Sequence, residues 1–88
     1  MNLILYSKPG CHLCEGLQEK LERVQELPIE VEIRDITTNQ DWFDAYQYEI
    51  PVLCQQLPDG EKVLPRISPR ASVARVEQML QKNLIFVG

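Results

Sequence analysis

The chain opens on an unbroken apolar run, Leu3-Ile4-Leu5-Tyr6, which reads as a short buried strand over residues 2–6. Ser7-Lys8-Pro9-Gly10 interrupts it as a loop. From Cys11 the period changes. Leu13, Leu17, Leu21 and Val24 recur at helical spacing and predict one apolar stripe facing the core, opposite Glu15, Gln18, Glu19, Glu22 and Glu26. Pro28 stops this helix, which makes Glu26 or Leu27 its last position. Residues 29–34 then alternate, Ile29, Val31 and Ile33 inward and Glu30, Glu32 and Arg34 outward, as in a half-exposed strand. Asn39 is placed to cap a short helix over Gln40–Gln47, with Asp41 in its first turn and Trp42, Phe43 and Tyr46 binding it to the sheet. Ile50-Pro51-Val52-Leu53-Cys54 opens a third strand. Pro58-Asp59-Gly60 turns the chain and Glu61–Leu64 returns as a fourth strand, closing a hairpin whose edge ends at Pro65. Ser68-Pro69 offers a capping hydroxyl followed by proline at a first helical position, so the last helix is predicted from there to about Asn83, with Val73, Val76, Leu80 and Leu84 inward. The apolar tail Leu84–Gly88 has no pattern that assigns it a role.

The predicted order is β-α-β-α-β-β-α. A strand, a crossover helix and a second strand make a right-handed parallel unit, to which the hairpin adds antiparallel strands. The expected fold is an α/β sandwich, a four-stranded mixed sheet flanked by three helices, with residues 1–88 as one domain. Charge narrows the function. The net charge is −4, and the nearest thing to a basic cluster, Arg66, Arg70 and Arg75, is too sparse to track a phosphate backbone, so no nucleic-acid partner is expected. No apolar run approaches the ~20 residues of a membrane span. The short run before Ser7 and Lys8 does not resemble a secretion signal. A cytoplasmic monomer is expected, in a compartment that keeps thiols reduced.

Three cysteines there do not make a structural disulfide framework; two of them at C-x-x-C spacing point to redox or metal chemistry. Cys11 and Cys14 lie nearly one helical turn apart, on one face. Cys11 meets the unsatisfied N–H groups of the helix start, which favour its thiolate and should bring it below the ~8.5 of a free thiol. Lys8 and His12 stand near enough in sequence to add positive charge, His12 as a tuner of the thiolate. Cys14, one turn further in, is expected to be less exposed and to resolve the mixed disulfide. A zinc site lacks a second ligand pair, since only Cys54 and His12 remain as candidates. Cys54 is read as a half-buried structural residue. Ile50–Pro51 can be trans and simply start a strand, or cis and present the backbone N–H and C=O of Ile50 to a substrate chain.

The segment Tyr6-Ser7-Lys8-Pro9-Gly10-Cys11-His12-Leu13-Cys14 resembles the active-site segment of glutaredoxins, within the thioredoxin fold. Glu49-Ile50-Pro51 lies where that family carries its cis-proline dipeptide, and the element order agrees over essentially the whole chain. The resemblance is greatest to the small glutaredoxin-like proteins of bacteria and plastids. It implies thiol–disulfide exchange in which Cys11 attacks, Cys14 resolves and glutathione serves as co-substrate, with no bound cofactor. It also implies that Lys8 meets a glutathione carboxylate and that the Ile50 backbone pairs with the cysteinyl unit, beside Pro51. Two departures stand out. His12-Leu13 replaces the usual Pro-Tyr between the thiols, and Arg66-Ile67-Ser68-Pro69-Arg70 replaces the Gly-Gly pair before the last helix. Arg66 and Arg70, flanking the Ser68 cap, are either two solvated side chains or a binding site for a carboxylate of glutathione or of an acidic partner loop. The partner implied is a disulfide-bearing protein or glutathione. Two other classes compete: an iron–sulfur module of two protomers joined through Cys11, and a redox sensor that does not turn over.

Overall fold

A computed structural model of the chain describes residues 1–86, and in it the elements follow the expected order. They are β1 (Asn2–Ser7), α1 (His12–Glu22), β2 (Glu30–Asp35), α2 (Gln40–Tyr46), β3 (Val52–Leu57), β4 (Gly60–Val63) and α3 (Val73–Asn83). The sheet runs β2-β1-β3-β4, with β1 and β2 parallel and the other neighbours antiparallel. This is the mixed sheet and helix complement of a thioredoxin-like fold. No helix among the described residues is long and apolar enough to cross a membrane.

β1 is central, and its side chains sort by the period of two. Leu3 and Leu5 join Leu53 under α1 and α3, where Leu21, Val24, Val76 and Leu80 complete one core. Ile4 and Tyr6 join Val52 and Cys54 on the opposite face, under Trp42, Phe43 and Tyr46 of α2. Both faces are covered, which is why residues 3–6 carry no polar position. Asn39 caps α2, its Oδ1 accepting from the N–H groups of Asp41 (2.9 Å) and Trp42 (3.2 Å). The hairpin turns through Pro58-Asp59, and Gly60 takes φ +143°, a conformation side chains disfavour.

The structure corrects several boundaries. α1 ends at Glu22, not at Glu26 or Leu27: Arg23 and Val24 close a final tight turn, so Val24 is still buried while Gln25 and Glu26 have nothing to cover. α3 does not start at Ser68-Pro69. Those residues form a turn in which Ala71 N–H donates to Ser68 O (2.9 Å), and Ser72 caps the helix instead by accepting from Arg75 N–H (3.2 Å). Serine followed by proline suits the first corner of a turn as well as a helix start, and a second serine four residues on takes the cap. Ile33, expected inward, is 41 % exposed on the edge strand β2.

Two tertiary anchors have no local signature. Ile36 opens a short 3₁₀ turn (Ile36–Thr38) and is completely buried beside Ile4 and Tyr6. Gln55, a buried polar side chain, exchanges two hydrogen bonds with the backbone of Ile85 (2.7 and 2.8 Å), tying down the stretch after α3. That gives the first part of the Leu84–Gly88 tail a packing role; Val87 and Gly88, like the last two positions of the expected 1–88 domain, lie outside the described residues. Ile36→Ala should lower unfolding stability by about 2–5 kcal/mol in denaturant titration, the cost of a cavity at a sealed site; a loss under about 1 kcal/mol would show that this face repacks.

Candidate active site

The loop between β1 and α1 is built to present Cys11. Cys11 N–H donates to Lys8 O (3.3 Å), and within that four-residue turn Pro9 takes the first corner and Gly10, at φ +81°, the second. That is the residue pattern of a type II turn, which needs glycine where φ is positive. The turn delivers Cys11 as the N-cap of α1, a position usually held by serine or aspartate. Its Sγ accepts from Cys14 N–H at 3.2 Å. Cys11 and Cys14 are joined as a disulfide, with Cα atoms 5.3 Å apart. Cys11 is half-exposed, whereas Cys14 is buried, so a partner can reach one sulfur and not the other.

Beside the pair runs a groove of about 270 Å³ that opens at His12 and Leu13, the two residues between the sulfurs. Pro51, Arg66 and Ser68 stand on its wall; Lys8, Ile50 and Arg70 do not. The Ile50–Pro51 bond is cis. The Ile50 N–H, however, is already used, donating to Tyr46 O (3.1 Å), and its side chain packs into the α2 core. The expected two-bond pairing of a substrate with Ile50 therefore lacks its free donor. Arg66 and Arg70 do not flank a helix end, because α3 starts later. Arg66 Nη1 donates to Glu49 O (2.6 Å), while Arg70 is exposed beyond the Ser68 turn, its N–H on Ser68 Oγ (3.2 Å). His12 is almost fully exposed and lies 3.7 Å from Glu15, whose carboxylate offsets whatever charge it carries. Lys8 is exposed, its carbonyl bracing the turn. Leu13, assigned to the core stripe by its spacing, is 52 % exposed. The buried position of this first turn is taken by Cys14 instead.

Sequence reasoning missed a charge and aromatic network beneath the site. Tyr6 donates its hydroxyl to Glu61 and accepts from Arg34 Nη1 (3.0 Å); Arg34 also pairs with Glu32 and lies over the rings of Trp42 and Tyr6. Tyr46 packs on Tyr6 at 4.6 Å between ring centroids and lines the groove. Burial and then the Glu61 hydrogen bond push the Tyr6 hydroxyl up, burial pushes Tyr46 up, and Arg34 is raised chiefly by Glu32. A signal existed: a tyrosine in a buried strand needs a polar partner, and Arg34 stands directly opposite it in the β1–β2 register.

The Glutaredoxin-like domain (DUF836) family matches residues 2–81. The chain belongs to that family. The X-ray structure of the structural genomics target protein XcR50 from X. campestris is similar at 25% identity and TM-score 0.62, over 93% of this chain and 99% of that one. No curated protein matches the sequence. Membership and fold thus agree with the resemblance carried by the Cys11–Cys14 segment.

The third cysteine of this glutaredoxin-like domain is of another kind. Cys54 is free and completely buried, and burial raises its thiol from 9.0 to about 11. Folding favours its neutral form, so that contribution to stability is complete below about pH 9 and is lost as pH rises through 11. Tyr6 and Tyr46 are shifted in the same sense. Unfolding free energy should therefore fall across this alkaline window, and Cys54→Ala should flatten the fall even if it lowers stability at neutral pH. An identical slope in the variant would contradict the assignment.

Proposed function

We propose that this glutaredoxin-like domain is a thiol–disulfide oxidoreductase that reduces mixed disulfides through Cys11 and Cys14. The observation that carries the reading is the pairing of a half-exposed N-cap sulfur with a buried sulfur one turn later, already close enough to bond. In the reduced domain the Cys11 thiolate attacks a substrate disulfide, forming a Cys11–substrate bond and expelling one substrate thiolate, which takes up a proton. Cys14 loses its proton to solvent and attacks Cys11 Sγ. The Cys11–Cys14 disulfide forms, and the second substrate thiolate leaves and is protonated. Two electrons pass from the dithiol to the substrate. An external dithiol, or two equivalents of a monothiol such as glutathione, returns them.

Each residue has a separable part. The helix N–H groups stabilise Cys11 both as attacker and as leaving group when Cys14 closes the ring. Burial shields Cys14 from outside disulfides and leaves it facing the mixed disulfide on Cys11. Pro51 stands on the groove wall, and Lys8, in the turn before Cys11, adds local positive charge. The reading calls for no bound cofactor and takes the domain as a cytoplasmic monomer acting on a disulfide-bearing protein or on glutathione.

Cys11→Ser should reduce turnover of a mixed disulfide to the uncatalysed rate. Cys14→Ser should still complete the first exchange and accumulate one covalent adduct per chain, visible by mass spectrometry. Undiminished turnover by Cys11→Ser would overturn the assignment of the attacking sulfur.

A further inference from the structure

The groove beside the sulfurs is poorly suited to a small, doubly carboxylated thiol such as glutathione. Its two cations are used as braces: Lys20 Nζ donates to Pro69 O (2.7 Å) and Arg66 to Glu49 O (2.6 Å), which holds the 64–71 segment against α1 and the cis-proline loop. The Ile50 N–H is closed on Tyr46, and Lys8 is off the wall. The chain's net charge of −4 gives an anionic tripeptide no general attraction.

What the groove offers is apolar. Leu13 and Val63, 52 % and 59 % exposed, stand on its wall with Pro51, Pro65 and Ile67. Leu13 breaks the core pattern of its own helix, and such local inconsistency is expected where a surface is kept for a ligand. At about 270 Å³ the space falls just below the ~300–1,000 Å³ of whole-molecule pockets, a size for one or two side chains. Leu13 stands between the two cysteines in the chain and lines the groove, so residues adjoining a cysteine joined to Cys11 come close to its wall.

We propose that the groove receives a large apolar side chain adjoining the reactive cysteine of a protein disulfide, and that Leu13 and Val63 select such partners over glutathione. This rests on the exchange chemistry proposed above and names its substrate class.

The test uses the whole chain and two disulfide-linked peptide dimers that differ only in leucine or serine beside the cysteine, with glutathione disulfide and hydroxyethyl disulfide as small substrates. The leucine peptide should exceed both the serine peptide and glutathione disulfide in kcat/KM by about tenfold or more. In Leu13→Gln/Val63→Thr, both changes at exposed positions, the peptide ratio should approach one. A ratio near one in the unaltered chain, a preference for glutathione disulfide, or an unchanged ratio in the variant would overturn the proposal while leaving exchange intact. Failure to reduce any of the four substrates, hydroxyethyl disulfide included, would overturn the exchange reading itself and this inference with it.

Discussion

A sulfur seated at the start of a helix is the constraint on which the rest of this molecule depends. The first turn of α1 has N–H groups with no partner inside the helix, and the Cys11 Sγ occupies the place where a serine or aspartate oxygen would satisfy one of them. A thiol is a poor cap and a thiolate a good one, so the same contact that completes the helix also favours the reactive form of the residue. The elements around it hold that contact in place. β1 is fixed between two layers and ends on a turn whose glycine permits the entry angle, and Cys14 is anchored in the core one turn below.

The surroundings divide into rigid support and open surface. On the α2 face, Tyr6 links β1 to Arg34 on β2 and to Glu61 on β4, while Tyr46 carries that support to the edge of the groove. Buried networks with every polar atom partnered are stiff, and among the described residues no buried side-chain polar atom lacks a partner. On the groove side, by contrast, exposed Leu13 and Val63 line the wall, and Lys20 and Arg66 are turned to holding the chain together. In the proposed reading, site chemistry and partner choice fall to different residues: sulfur and helix for the first, the Leu13–Val63 walls for the second.

What could be read from the sequence was what local forces decide. The unbroken run at residues 3–6, the Asn39 cap, the Pro58-Asp59-Gly60 turn and the C-x-x-C pair each act within a few residues, and each appears where its pattern places it. The misreadings have physical causes. Ser68-Pro69 and Ser72 compete for one cap, and the turn closed by Ala71 decides between them. Helical spacing alone put Leu13 in the core, although the buried position in the first turn of α1 is taken by Cys14. Arg34 looked like an outward strand charge because its partner, Tyr6, lies 28 residues away, and the second partner, Glu61, is 55 residues from Tyr6. Gln55 and Ile85 meet across 30 residues, a pairing no local pattern contains.

The most direct measurement of the central claim is the rate of Cys11 alkylation as a function of pH in the reduced domain, with Cys54→Ala and Cys14→Ser removing the other thiols. The helix-capped sulfur should titrate below the ~8.5 of a free thiol. Titration at or above that value would contradict the account.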